Sequence, residues 1–337
     1  MVHEPAPDDI VKLADARAAA RRNRDWASAD ELLVRIRAAG WKVVDVGTLY
    51  DLVRAAPPDV ADGEVTRFGS SMSVPSRLDE PAAGTASVVL LATDWPDDVA
   101  RTLEALATTA PAGTQVIVVE NGASVPQAAA LAALPSAGQP ADGMTLEVLR
   151  LSARLGFAAA LNAGIRRATA AVVILLDTSL ELQGDLVSAL VATLEDPTVA
   201  VAGPFGIVSD DLRRFRDAGE TVVDVDVIEG YAMAFRRSDY VARGPLDEHF
   251  AFYRNLDIWW SLVLREQGEG EPDDAAPRRA VRVPGVPVFR HAHRGWASLP
   301  DEERDRLSKK NYYRVLKRFA SRRDLLVAEA GEGTRAQ

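Results

Sequence analysis

Residues 147–182 read EVLRLSARLGFAAALNAGIRRATAAVVILLDTSLEL, and this stretch decides which fold we expect. Its pattern predicts a short strand, a turn at Gly156, a helix and then a wholly apolar strand over 171–176. The apolar strand ends at Asp177. Because ligands of open α/β sheets bind beyond the carboxyl ends of the strands, we expect the functional site at this carboxylate.

The composition limits the class of protein. The chain has 337 residues, of which 47% are hydrophobic, so it can form one large domain with an appendage or two domains. It contains no cysteine, which excludes disulfides and thiolate metal sites. No apolar run approaches the ~20 residues of a membrane span, and no signal-peptide pattern is visible, so we expect a cytoplasmic protein. The formal charge of −10 disfavours bulk binding to nucleic acid.

Changes in composition predict the domain organisation. Residues 8–54 have the apolar spacing of a helical hairpin with a strand-like tail, and the Pro-, Gly-, Ser- and Asp-rich residues 55–86 are typical of a linker. Residues 87–323 form the predicted main domain, and 324–337 a tail. The main domain divides into a nucleotide-binding half (87–203), an acceptor half (204–300) and a basic helix (301–323).

Alternating strand and helix signals fill the first half of the main domain. The strand candidates are SVVLLA at 87–92, QVIVV at 115–119, AVVILL at 171–176 and TVAVAG at 198–203. This alternation predicts a doubly wound, mainly parallel sheet with flanking helices. Polar residues follow three of these strands, namely Thr93 with Asp94, Glu120 with Asn121, and Asp177, so we expect a nucleotide site along one edge of the sheet.

The main domain resembles a family 2 glycosyltransferase of the GT-A fold from Ser87 to Phe319. The resembling segments, in order, are VVLLATDWPDDVARTLEAL, VIVVENGAS, LSARLGFAAALNAGIRRATAAVVILLDTS, AMAFRR and GPLDEHFAFYRNLD with the helix that follows it. A late histidine and the basic NYYRVLKRF helix are also similar. Each segment alone is a weak signal, and their common order makes the resemblance specific.

The resemblance implies transfer of a sugar from a nucleotide diphosphate donor to a glycan, lipid-linked or small-molecule acceptor, with inversion. A carboxylate would deprotonate the acceptor hydroxyl, and Mg²⁺ or Mn²⁺ would neutralise the leaving diphosphate. Implied nucleotide-site residues are Thr93, Asp94, Glu120, Asn121, Arg154 and Asp177. Implied metal-site residues are Asp177, Glu181, His291 and His293.

Three residues of the second half complete the implied site. Asp257 is the expected catalytic base, and the alternative is a helix N-cap. Glu229 is a candidate for hydrogen bonding to the acceptor. Trp260 is expected in the acceptor cleft, as core or rim rather than as a sugar-stacking platform. The two histidines have a surface or packing role as their alternative.

The sequence departs from the family pattern at two places. Ser179 stands where the family has the second carboxylate of its DxD motif, and Glu181 is the nearest substitute. Arg254 and Asn255 stand where the family often has an acidic pair. These departures motivate an alternative hypothesis, a nucleotide-sugar-binding protein that does not catalyse transfer.

Two further segments have open interpretations. Residues 16–46 resemble a short piece of the C-terminal region of cysteinyl-tRNA synthetases, which implies RNA binding, and a packing or homo-oligomerisation module is the alternative. The basic helix 301–323 is either a solvated face or a peripheral contact with anionic lipid at the inner membrane face.

Overall fold

The chain folds into two compact units, Met1–Ser70 and Ser71–Gln337. The structure, a computed structural model, describes residues 6–46, 49–63, 65–92, 94–134, 143–267, 277–291, 293 and 298–327. The boundary between the units falls inside the segment 55–86 that we predicted to be a linker.

The first unit contains the helical hairpin expected from the sequence. Its elements are α1 (Asp8–Arg22), α2 (Trp26–Ala38), β1 (Trp41–Val46), β2 (Leu49–Arg54), β3 (Val60–Asp62) and β4 (Val65–Phe68). Helix α2 begins after Asp25, whose carboxylate accepts a hydrogen bond from the Ser28 N–H. Strands β1 and β2 are antiparallel, and so are β3 and β4, so part of the segment predicted as linker is regular structure.

Small apolar contacts and an ion-pair cluster hold this unit together. Ile10, Ala14, Ile36 and Trp41 form its buried core. Arg17 and Arg21 both bind the carboxylate of Asp45. Two arginines of α1 are therefore paired within the unit.

The second unit carries most of the chain. Its strands are β5 (Ala86–Ala92), β6 (Thr114–Glu120), β7 (Thr145–Leu151), β8 (Val172–Leu176), β9 (Leu180–Leu182), β10 (Val199–Gly203), β11 (Gly206–Ser209), β12 (Phe215–Asp217), β13 (Asp224–Val225), β14 (Val227–Ile228), β15 (Ala232–Arg236), β16 (Arg279–Arg282) and β17 (Val288–Arg290). Its helices are α3 (Pro96–Thr109), α4 (Val125–Ala132), α5 (Phe157–Ile165), α6 (Leu186–Thr193), α7 (Arg237–Arg243), α8 (Leu256–Arg265) and α9 (Asp301–Phe319), followed by a 3₁₀ turn at Arg323–Leu325.

The large sheet of this unit confirms the predicted fold class. Its strand order is β13-β16-β10-β15-β8-β5-β6-β7. Strands β5, β6, β7 and β8 pair in parallel, as do β10 and β16, whereas β15 lies antiparallel between β8 and β10. Every residue of β6 and β8 is buried, as expected for central strands that helices cover on both faces.

Helix α5 lies close against the centre of the sheet. A Cβ atom at Gly164 would stand 2.5 Å from Cγ1 of Val89 and 2.8 Å from Cγ2 of Val119. Only glycine permits this approach without displacement of the neighbouring valines.

The start of α5 holds the loop that precedes α8. The N–H groups of Phe157 and Ala158 donate to the carbonyl oxygens of Ala251 and Phe250, at 3.0 and 3.1 Å. Without these partners, both N–H groups would be among the unsatisfied donors of a helix N-terminus. The loop of the second half is therefore fixed against a helix of the first half.

Asn162, within α5, fixes the other end of the same loop. Its side chain is 1% exposed. Its Nδ2 donates to the Leu246 carbonyl at 2.9 Å, and its Oδ1 accepts from the Leu246 N–H and the Tyr240 hydroxyl, each at 3.0 Å. All these groups are buried, so the loop has one well-defined position.

Within the described ranges, no helix combines the length and the apolar character that crossing a membrane requires. Helix α9 begins at Asp301 as predicted and ends at Phe319, before the predicted bound of 323. Several of its basic residues form ion pairs: Arg304 with Asp301, Arg306 with Glu303, Arg314 with Asp247, and Arg318 with Glu266.

Candidate active site

A cleft of about 870 Å³ opens in the second unit where β8 ends. Asp177, the residue that follows β8, lies in its wall. Asp257, Glu229 and His293 lie in the wall of the same cleft. The structure therefore brings together four of the side chains that the sequence singled out from distant positions.

Hydrogen bonds orient the carboxylate of Asp177. Its Oδ1 accepts from the Ser179 N–H at 2.8 Å, and its Oδ2 lies 3.2 Å from Nε2 of His293. Burial raises the pKa of Asp177, but the hydrogen bonds from His293 and Ser179 outweigh burial and leave its pKa below the usual value. Asp177 is therefore an anion near neutral pH.

The second histidine belongs to a separate pair. His291 also lines the cleft, and its Nε2 lies 2.7 Å from Oε2 of Glu181, a residue outside the cleft lining. The antiparallel pairing of β9 with β17 produces this contact, since it sets Glu181 opposite Phe289. The four residues predicted as metal ligands thus form two carboxylate–imidazole pairs. Among the residues described, His, Cys, Asp and Glu side chains form no group of three suited to a metal ion.

The Asp177–His293 pair still fits one kind of metal site. It presents a carboxylate oxygen and an imidazole nitrogen on the cleft wall. Ser179 is 8% exposed and supplies no carboxylate. Mg²⁺ sites often use one or two carboxylates and complete the coordination with substrate phosphates and water. The residues suit a site of that kind and do not form an all-protein cage.

Asp257 is the second residue of α8 rather than its N-cap. The cap position belongs to Asn255, which has a positive φ of 67°. The Oδ2 atom of Asp257 accepts from the Gly230 N–H at 3.1 Å, and Oδ1 accepts from the Ile258 N–H at 2.9 Å. Burial raises the pKa of Asp257, and the backbone hydrogen bonds and Arg254 only partly offset this rise. A cleft carboxylate with a raised pKa suits a general base.

Glu229 lies next to this acid and is held by Arg290. Its Oε2 accepts from Nη1 of Arg290 at 2.8 Å. The Arg290 guanidinium carbon lies 5.0 Å from the ring centroid of Phe205 and 5.2 Å from that of Tyr231. Burial raises the pKa of Glu229, Arg290 lowers it and Asp257 raises it again, with a net upward shift. Arg290, which was assigned no role from the sequence, orients this carboxylate.

Trp260 forms part of the inner wall of the cleft. Its side chain is 1% exposed and packs against the rings of Phe235 and Tyr240, at centroid distances of 5.6 and 6.0 Å. A ring this deeply buried offers no free face to a sugar. Of the roles considered for Trp260, the core role matches this position.

Two predicted nucleotide-site residues pair at the carboxyl edge of the sheet. Asp94 follows β5, and its carboxylate accepts from Nη2 of Arg154 at 2.9 and 3.0 Å. Arg154 also donates to the Gly122 carbonyl at 3.2 Å. Neither Asp94 nor Arg154 belongs to the part of the cleft wall that the structure describes. Thr93 lies outside the described residues.

The other two predicted nucleotide-site residues are buried. Glu120, at the end of β6, binds Arg150. Asn121 accepts from the Leu155 N–H at 2.7 Å and donates to the Leu155 carbonyl at 3.1 Å. Asn121 therefore fixes the loop before α5, a positioning role that strand-end patterns do not reveal.

Several cleft residues were not assigned a role from the sequence. They are Arg213, Arg216, Tyr231, Tyr253, Arg254, Arg290 and Tyr312. A run such as DDLRRFRD at 210–217 is typical of a solvated turn, so its arginines carried no signal of a site.

Comparison with known proteins agrees with this fold. The second unit shares its fold with a structure described as GalNAc-T7 with UDP, GalNAc and Mn²⁺, at a TM-score of 0.53 and 17% identity over 70% of this chain and 48% of that one. The chain thus spans about half the length of that structure. The sequence model of Glycosyl transferase family 2 matches residues 87–257, just over half of the chain, and the protein belongs to that family.

Two other solved structures resemble the chain at lower TM-scores. One is the mannosyltransferase PcManGT from Pyrobaculum calidifontis in complex with GDP-Man and Mn²⁺, with a TM-score of 0.45, 16% identity and 79% of each chain covered. The other is S. aureus TarS 1–349 in complex with UDP, with a TM-score of 0.47, 11% identity, 69% of this chain and 72% of that one covered. No curated protein matches the sequence significantly.

Proposed function

We propose that this protein transfers a sugar from a nucleotide diphosphate donor to an acceptor hydroxyl, with inversion at the anomeric carbon. The observation that carries the proposal is that Asp177 and Asp257, from the two halves of one domain, line a single cleft at the carboxyl edge of the sheet. Membership of Glycosyl transferase family 2 supports it. The acceptor is a glycan, a lipid-linked sugar or a small molecule.

Asp257 acts as the general base in this proposal. Its carboxylate takes the proton of the acceptor hydroxyl as the oxygen attacks the anomeric carbon. The bond between that carbon and the diphosphate oxygen breaks on the opposite face, so the configuration inverts and the nucleoside diphosphate leaves with the bonding electrons. Glu229, fixed by Arg290, accepts a hydrogen bond from a second acceptor hydroxyl.

Residues at the other end of the cleft bind the donor. Asp177 and His293 would hold Mg²⁺ or Mn²⁺, which supplies neutralising charge to the leaving diphosphate when bound. Asp94 and Arg154 would extend the donor site along the sheet edge toward the base and ribose, whereas Glu120 is buried and bound to Arg150. Asp177 is ionised at neutral pH, and its negative charge suits a contact with a divalent cation.

Transfer assays with UDP-, GDP- and dTDP-sugars test this proposal. We expect Asp257→Asn to lower turnover by about 10²–10⁴-fold, the usual contribution of a general base, with nucleotide binding unchanged. Asp305→Asn, which removes an exposed carboxylate from α9, is the matched control. Full turnover in Asp257→Asn would exclude Asp257 as the base.

The second candidate function is nucleotide-sugar binding without transfer. It is favoured by Ser179 in place of a carboxylate, and by Asp257, both of whose oxygens accept backbone hydrogen bonds. Calorimetry with UDP and Mn²⁺ separates the two. Tight nucleotide binding, with neither transfer nor donor hydrolysis across a broad acceptor panel, supports the binding protein.

A further inference from the structure

A turn at residues 210–214 joins β11 to β12. A buried side chain and several hydrogen bonds fix its shape. Leu212 in its centre has a positive φ of 53° and a fully buried side chain. Such a conformation is unfavourable for a branched side chain and persists only where other contacts outweigh it. The Oδ1 atom of Asp211 supplies two of these contacts, since it accepts from the N–H groups of Arg213 and Arg214, each at 2.8 Å.

This turn places two arginines on the cleft wall. Arg213 and Arg216 both line the cleft, and both are exposed. Within the part of the chain that the structure describes, no carboxylate forms an ion pair with Arg213. The carboxylate nearest in sequence, Asp211, binds backbone N–H groups instead.

Arg216 has a partner that a ligand can replace. It binds Asp210 at 3.0 and 3.1 Å, and these side chains are 59% and 79% exposed. Exposed ion pairs contribute little free energy because water already solvates both charges. The guanidinium of Arg216 can therefore turn to an anion in the cleft at small cost.

The other cleft arginines are already engaged with the acids of the site. Arg290 binds Glu229 and lies against two aromatic rings. The positive charge of Arg254 lowers the pKa of Asp257 and so partly offsets the effect of burial. Among the cleft arginines that the structure describes, Arg213 and Arg216 are therefore the two that no acid of the site holds.

The hairpin belongs to the acceptor side of the cleft. Strand β11 pairs with β14, and the N–H of Glu229 donates to the Phe205 carbonyl at 3.0 Å, directly before β11. The arginine turn therefore extends from the strand that adjoins Glu229. Asp177, on the donor side, has His293 as its own neighbour, 3.2 Å away.

We propose that the acceptor carries an anionic group, a phosphate or a carboxylate, which Arg213 and Arg216 bind while the acceptor hydroxyl lies at Asp257. The planar guanidinium forms two parallel hydrogen bonds with either oxyanion, which a lysine cannot reproduce. The inference rests on the proposed function and names its substrate class.

Calorimetry on the full chain tests the inference with three probes: glucose 6-phosphate, glucuronate and the neutral methyl glucoside. We expect one or both anionic probes to bind and methyl glucoside to bind at least about tenfold more weakly, as loss of charged hydrogen bonds implies. The two anionic probes distinguish a phosphate from a carboxylate. Arg213→Gln with Arg216→Gln should lower the affinity for the anionic probe by a similar factor.

Two controls keep the result specific. Lys317→Gln removes an exposed positive charge from α9, outside the cleft lining, and should leave probe binding unchanged. The double variant Arg213→Lys with Arg216→Lys keeps the charge but loses the paired geometry, so its affinity should lie between those of the wild type and the Gln variant. Urea unfolding midpoints show whether each variant is folded.

The inference is overturned if neither anionic probe binds at millimolar concentration, if methyl glucoside binds equally well, or if the Gln double variant retains full affinity. Displacement of the anionic probe by UDP also overturns it, since the arginines would then bind the donor diphosphate. UDP binding, measured on the same sample, separates this result from the proposed function. UDP binding without anion binding contradicts only the acceptor assignment, whereas absent UDP binding contradicts the glycosyltransferase proposal.

Discussion

The ring of Tyr253 lies flat against the imidazole of His293, with centroids 4.1 Å apart and planes 10° from parallel. Tyr253 belongs to the loop before α8, and His293 contacts Asp177 at the end of β8. A residue of the loop before α8 therefore packs against the histidine that contacts Asp177 in the first half of the domain. Loss of this stack should affect donor binding although Tyr253 is distant from the predicted nucleotide residues in sequence.

Activity should fall with decreasing pH through a carboxyl group whose pKa is raised. Burial raises the pKa of Asp257 above its usual value, and protonated Asp257 cannot accept the acceptor proton. The acidic limb of the kcat/KM profile should therefore lie above the usual aspartate value of 3.8. Asp305→Asn should leave this limb in place. A limb that persists in residual activity of Asp257→Asn would assign it to another group.

Asp177 and His293 should determine the response to divalent cations, and Glu181 should not. Asp177→Asn, and His293→Phe, which keeps a ring against Tyr253, should each raise the Mn²⁺ or Mg²⁺ concentration for half-maximal activity by at least about tenfold. Glu181→Gln, outside the cleft lining, should change it little. Activity that survives complete removal of divalent cations by EDTA would contradict this prediction.

Asn162→Ala should destabilise the second unit by about 2–4 kcal/mol, because it leaves several buried hydrogen-bonding groups of the loop without partners. Tyr240→Phe removes one bond of the same network and should cost about 1 kcal/mol. Thr108→Ala, an exposed site on α3, is the control. Urea unfolding followed by tryptophan fluorescence measures all three, and equal stabilities of Asn162→Ala and Thr108→Ala would count against the network.

Gly164→Ala should cost about 1–3 kcal/mol, since the added methyl group would overlap Val89 and Val119 at the centre of the sheet. Gly230→Ala is a useful contrast. Its Cβ would stand 3.4 Å from the Cβ of Asp257, an ordinary contact, so the unfolding free energy should change much less. Similar losses for both variants would mean that close packing at Gly164 is not the cause.

Strong local patterns made much of the fold predictable. The parallel sheet was predicted from the apolar runs of β5, β6, β8 and β10 and from the glycine before α5, because central strands need continuous apolar sequence. The hairpin β11–β12 was not predicted, since its strands are short and its turn depends on a leucine at positive φ. Nor could a local pattern reveal that β15 enters the sheet antiparallel between β8 and β10.

The residues of the candidate site that follow strand ends could be predicted from the sequence. Those that are placed by pairing between segments far apart in the chain could not. Asp177 follows from the end of β8. The division of the predicted metal ligands into two pairs results from the pairing of β9 with β17, about a hundred residues apart, which no spacing rule contains. Arg213 and Arg216 reach the cleft only through the conformation of their turn.

The hydrogen bonds from the start of α5 to Phe250 and Ala251 also limit how this loop can be re-engineered. Residues 246–255 cannot be exchanged independently, because the carbonyl groups of Phe250 and Ala251 accept the hydrogen bonds of a helix in the first half of the domain. A loop grafted from another family member would have to present carbonyl groups to the N–H groups of Phe157 and Ala158, and backbone groups that pair with Asn162. A change in this loop should therefore also disturb the start of α5.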